Sequence, residues 1–108
     1  MYEPINGWTK QSMVDHIKTN FNGKSTYAGM CRYRQGDKKC AVGLFIPNDR
    51  YYPAMEGKII RELFHEFDLN KLMPLSLGAM VSLQVTHDES DENQTLQDML
   101  SWIESNVQ

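Results

Sequence analysis

At 108 residues the chain has apolar surface for one hydrophobic core and too little for two, since domains cluster at roughly 100 to 150 residues. Hydrophobic residues at 41% and charged residues at 23% exclude an extended disordered chain. The net charge is only −3, but all 11 Lys and Arg fall in residues 1–71, against 8 acids there, leaving residues 72–108 purely acidic. Such asymmetry marks either a binding surface or two parts of the fold that neutralise each other, and the second reading, or a merely solvated face, is the simpler.

The first helix is expected after Thr9, which is placed to cap it, with Trp8 and Met13 as a hydrophobic staple and Asn22-Gly23 as its end. Met13, Val14, Ile17 and Phe21 form its buried stripe, with His16 beside it. Lys24-Ser25-Thr26 then reads as a polar connector. Met30 to Arg34 alternates in character and meets Lys38 to Ile46 across Gln35-Gly36-Asp37, which predicts a β-hairpin. A two-residue loop at Gly36-Asp37 places Arg34 opposite Lys39, Tyr33 opposite Cys40 and Cys31 opposite Val42. In that register Cys31, Tyr33, Cys40 and Val42 face inward while Arg32 and Arg34 face outward. Residues 40–46 are read as strand, although a short apolar run of this kind also suits a buried helical segment.

Pro47 ends that run, and Asn48 to Pro53 is a loop of turn formers. A second helix is expected from about Met55 to Phe67, burying Met55, Ile59, Ile60, Leu63, Phe64 and Phe67. A third starts near Ser76, and a fourth runs from about Glu92 with Leu96, Met99, Leu100, Ile103 and Val107 inward and Asp91 and Gln94 as its capping box. These elements predict an α+β, mostly helical fold: about four helices packed around a β-hairpin, with a single layer of core, residues 1–108 forming one domain. Helices with broad apolar faces also leave a homodimer open.

The longest apolar run, Ala41 to Ile46, falls far short of the roughly 18 residues a bilayer span needs, so a membrane partner is excluded. Met1-Tyr2-Glu3-Pro4 lacks the basic flank and apolar stretch of a secretory signal, which makes the cytoplasm the expected location. In that reducing compartment, and diagonal in the register above, Cys31 and Cys40 are expected as reduced thiols.

Four chemistries compete for the remaining residues. Zinc binding draws on Cys31, Cys40 and His87, but the chain has neither C-x-x-C nor H-x-x-x-H spacing, so no metal or other cofactor is expected and small buried hydrophobes describe the cysteines better. Cysteine catalysis asks for a thiolate near a histidine; Arg32 and Arg34 are suited to lowering a thiol's pKa, yet nothing in the spacing brings His87 close. His87 follows Met80 and Leu83 at helical spacing and reads as a satisfied core histidine, with no pairing to adjacent Asp88 implied. The acidic run 88–92 lacks the loop of a calcium-binding EF-hand. Finally, Lys24, Arg32, Arg34, Lys38, Lys39 and Arg50 interleave with Tyr27, Tyr33, Tyr51 and Tyr52, a mixture suited to phosphate contact and base stacking. Of these, Arg32, Arg34, Lys38, Lys39, Arg50, Tyr51 and Tyr52 are the candidate binding residues.

Cys31-Arg32-Tyr33-Arg34, Lys39-Cys40-Ala41-Val42-Gly43, Ile46-Pro47, Tyr52-Pro53 followed by Met55-Glu56-Gly57, and Leu83-Gln84 with His87-Asp88 together resemble a group of small uncharacterised proteins encoded by tailed bacteriophages and prophages. The likeness covers roughly residues 28–104. Some members carry a further cysteine where this chain has Leu44, which removes one thiol a metal site would use. The resemblance implies a context, a phage or prophage accessory protein in the bacterial cytoplasm, and no mechanism. With no catalytic constellation assembled, the leading expectation is a non-enzymatic accessory protein binding a host or phage macromolecule. The alternatives are nucleotide or nucleic-acid binding through the basic-aromatic hairpin, and a zinc-binding or thiol-dependent protein.

Overall fold

Thr9 ends an extended approach and its hydroxyl accepts from the Ser12 N–H at 3.0 Å, while the Ser12 hydroxyl accepts from the Thr9 N–H at 2.8 Å. This reciprocal cap satisfies two donors that a helix start otherwise leaves open. It sets the first residue of α1, Lys10–Asn20, in a computed structural model that describes residues 1–27 and 30–108, the side chains of 26, 27, 30 and 31 excepted. Met13 and Ile17 are fully buried, with Val14 and Phe21 packed against the core, as the apolar stripe requires.

Two short antiparallel ribbons follow. β1, Thr26–Tyr27, pairs with β2, Met30–Cys31, and β3, Arg34–Gln35, pairs with β4, Lys38–Lys39. The second ribbon is the expected hairpin at its tip: Arg34 lies opposite Lys39, and Gly36 supplies the positive φ of +63° that the two-residue loop demands. The Cys40 N–H donates to the Tyr33 carbonyl at 3.2 Å, so these two residues also meet as expected. Beyond them the pairing stops.

Residues 41–44 are not strand. Ala41–Leu44 forms a short helix, α2, whose cap is Cys40: its Sγ accepts from the Gly43 N–H at 3.3 Å. Cys31 therefore does not face Val42; its backbone pairs with Thr26, and its side chain lies outside the described residues. The helix wins because every residue from Ala41 to Ile46 is buried and, among the described residues, no strand pairs with this stretch, whereas a helical turn satisfies the backbone locally. Gly43 permits the fit, since a Cβ there would stand 2.0 Å from the Tyr33 carbonyl oxygen.

The expected second helix divides. A 3-10 turn at Pro53–Met55 leads through Gly57, at φ +83°, to α3, Ile60–Glu66. Glu62 accepts from the Ile59 N–H at 3.1 Å and so fixes the later start, which leaves Ile59 63% exposed rather than in the core. The third helix is α4, Leu77–Glu89, beginning after Ser76 as expected. The fourth is α5, Thr95–Asn106, three residues later than Glu92. Asp91 and Gln94 form no capping box; the buried Thr95 hydroxyl donates instead to the Asp91 carbonyl at 3.0 Å.

The whole is α+β and mostly helical, five helices among the described residues around small antiparallel ribbons, with one core to which all five helices contribute. Among the described residues no helix is long and apolar enough to cross a membrane. Because the atom nearest a Cβ on Gly43 is backbone, Gly43→Ala is expected to destabilise the protein by about 3 kcal/mol, read as a fall in the urea midpoint at unchanged slope.

Candidate binding groove

Glu56 organises the basic segment. Its carboxylate accepts from the Tyr33 N–H at 2.9 Å, the Arg34 N–H at 3.1 Å and the Tyr51 hydroxyl at 2.6 Å, and lies 4.0 Å from the Arg32 Nε. Burial, then the bond to Glu56, pushes the Tyr51 phenol up to about 12. Tyr33 is half-buried, donates its hydroxyl to the Lys58 carbonyl, and is likewise pushed up by burial.

This arrangement separates the candidate binding residues. Arg34 turns inward, contrary to the expected outward face: its Nη2 donates to the Ile46 carbonyl and its guanidinium sits 4.8 Å from the centre of the Tyr51 ring. The β3 pairing is too short to carry the strand alternation, so the side chain follows these contacts instead. Lys39 is half-buried, with its pKa lowered by desolvation and by Arg34. Arg32, Lys38, Arg50 and Tyr52 remain exposed. Tyr52 stacks on Phe67 at 6.1 Å.

A second polar node joins α2 to α4. The Val42 N–H, left open at the start of α2, donates to Gln84 Oε1 at 3.0 Å, and Gln84 Nε2 donates to Asp88 Oδ1 at 2.8 Å. His87 Nδ1 is 2.9 Å from the same Asp88 oxygen, so the adjacent pair that helical geometry disfavours does form. It forms because Asp88 lies near the C-terminus of α4, and a single carboxylate oxygen receives both neighbours. The carboxylate places the proton on His87 Nδ1; Nε2 is buried with no partner among the described residues. His87 is fully buried, with the Phe21 ring edge-on to it at 6.2 Å.

Cys40 is buried, and burial pushes its thiol up to about 12 even though the Gly43 N–H opposes the shift. Among the described residues no three of His, Cys, Asp and Glu cluster to hold a metal ion. Of the zinc candidates, the Cys40 sulfur accepts from Gly43 and His87 meets Asp88 through Nδ1 alone, and the Cys31 side chain is not described.

Between the hairpin, α3 and α4 opens a groove of about 730 Å³. Leu77, Val81, Gln84 and Asp88 form one wall; their spacing puts them on one face, so the wall runs along α4. Ile59 and Ile60 stand across from it, with Arg32, Lys58 and Arg61 also lining the space. α4 is thus apolar on two sides: Ala79, Met80 and Leu83 enter the core, while Val81 and Val85 are 40% and 45% exposed. Sequence reading found the inner stripe of α4 and missed the outer one, although Leu77, Val81 and Val85 repeat at four-residue spacing. It also missed Glu56, Arg61 and Gln84. No family model, curated protein or solved structure matches the chain.

Two outcomes follow from these contacts. Glu56→Ala strands two backbone donors and is expected to cost about 3 kcal/mol, with Glu56→Gln, which keeps a carbonyl oxygen, costing about half as much in urea unfolding. In a Cys31→Ser background the remaining thiol of Cys40 is expected to react with a thiol reagent about a hundredfold slower than free cysteine at pH 8, and at the free rate once unfolded.

Proposed function

We propose that this chain is a non-enzymatic phage or prophage accessory protein, acting in the bacterial cytoplasm, that holds a host or phage macromolecule in the groove along α4. The outward stripe of α4 carries this reading. A helix apolar on both faces is normally buried on both, and a small domain that leaves one such face open beside a concave space presents a site for a partner. Cys40 is too deeply buried for thiol chemistry, which further favours binding over catalysis.

Nucleotide or nucleic-acid binding through the hairpin stands second. Arg32, Lys38, Lys39 and Arg50 remain as phosphate contacts, but Arg34 and Tyr51 are committed to each other, to Ile46 and to Glu56. The two readings separate in a cross-linked pull-down from bacterial cells using the full chain, Val81→Glu and Lys38→Glu. Capture of a protein that is lost with Val81→Glu and kept with Lys38→Glu is the expected result. Capture that ignores Val81→Glu but falls away with Lys38→Glu and with added salt would overturn the groove in favour of the hairpin.

A further inference from the structure

The two sides of the groove differ in what they leave unsatisfied. Along α4 the wall offers aliphatic surface at Leu77 and Val81, and its polar members are already occupied: Gln84 bonds Val42 and Asp88, and Asp88 receives both Gln84 and His87. The facing side adds Ile59 and Ile60, so an occupant must present apolar side chains to cover them.

Its cations are not satisfied to the same degree. Lys58 is held by Glu66 at 2.9 Å. Arg32 reaches only 4.0 Å from Glu56, whose carboxylate already accepts three hydrogen bonds. Arg61 is exposed and has no ion pair among the described residues. Two guanidinium groups therefore border the groove with donors to spare, and guanidinium is the side chain best matched to a carboxylate. Among the described residues the carboxylate lining the groove is Asp88, at the C-terminal end of the α4 wall.

We infer that the groove takes a peptide segment of a protein partner in which carboxylate side chains sit beside aliphatic ones, the aliphatic side lying on Val81 and Ile59 and the acids meeting Arg32 and Arg61. This rests on the groove being the binding site. The wall from Leu77 to Asp88 spans about 16 Å at the helical rise, room for about three turns of helix or five extended residues. A nucleic acid offers anions but no aliphatic surface, and Tyr33, the aromatic residue lining the groove among the described residues, has its hydroxyl committed to the Lys58 carbonyl.

The test uses three fluorescein-labelled peptides of equal length, combining leucine with glutamate, leucine with lysine, and serine with glutamate, titrated with the full chain and followed by anisotropy. Arg61→Glu and Val81→Glu are the variants. Both sites are exposed, and an acid in the first turn of α3 suits the helix dipole, so each is expected to keep the wild-type circular dichroism. The leucine-glutamate peptide is expected to bind best, to lose about tenfold in affinity with Arg61→Glu, and to lose binding with Val81→Glu, while Arg61→Glu gains affinity for the leucine-lysine peptide. Equal binding of both leucine peptides, or a preference for lysine, with either lost on Val81→Glu, overturns the acidic partner and leaves the groove standing. Binding of serine-glutamate as tight as leucine-glutamate overturns the apolar requirement. If no peptide binds the inference fails, and the groove itself is then decided by whether capture from cells still depends on Val81.

Discussion

A single carboxylate holds the hairpin of this fold in place. Strands of two residues have no stability of their own, and an isolated hairpin is marginal even when longer. Glu56 supplies what the hairpin lacks, accepting two backbone donors where the chain enters β3 and binding Tyr51 from the following loop. The other fastening is steric: Gly43 lets α2 approach the Tyr33 carbonyl closely enough that the hairpin seats on the core rather than standing off it. With both in place Tyr33 reaches the Lys58 carbonyl, and the segment leading into α3 becomes a wall of the groove.

The opposite wall depends on a comparable economy of polar groups. A helix of four residues such as α2 is far below the length at which helices persist alone, and most of its donors are open ends. Two of them are met from side chains, Gly43 by the Cys40 sulfur and Val42 by Gln84. Gln84 then spends its amide nitrogen on Asp88, which also receives His87. Buried polar groups are tolerated when bonded, and here one chain of bonds ties α2 to α4 while Val81 and Val85 on the outer stripe of α4 stay exposed.

Much of this was readable from residue order. The cap at Thr9, the stripe Met13 and Ile17, the Gly36-Asp37 loop with Arg34 opposite Lys39, and the start of α4 after Ser76 all depend on interactions within a few residues, which local sequence encodes. What escaped depends on contacts between distant segments. Cys40 to Ile46 suits strand or helix by pattern alone, and what decides it is that no strand among the described residues pairs with 41–46. Ile59 fits a helical stripe until Glu62 caps the helix one residue after it. Arg34 is outward by strand alternation, but Tyr51 and Ile46 are brought to it by a fold that alternation does not describe. The groove was invisible for the same reason, since its walls come from stretches far apart in the chain, although the four-residue repeat of Leu77, Val81 and Val85 was there to be seen.

The uneven charge takes on a different meaning in the folded chain. Lys24 Nζ donates to the carbonyls of Asp88 and Ser90 at 2.9 and 2.7 Å, closing the C-terminal end of α4, and Lys10 stands 3.5 Å from Glu104. Basic residues of the first two-thirds thus satisfy groups of the acidic last third. Arg34 and Lys58 are spent within the basic part itself. Part of the cation excess in sequence, at Lys10, Lys24, Arg34 and Lys58, is therefore taken up inside the fold. Of the cations that remain, Arg32 and Arg61 border the same concave space as the exposed aliphatic side chains of Ile59 and Val81. That space joins guanidinium groups with donors to spare to uncovered aliphatic surface at Ile59 and Val81, and an occupant has to answer both at once.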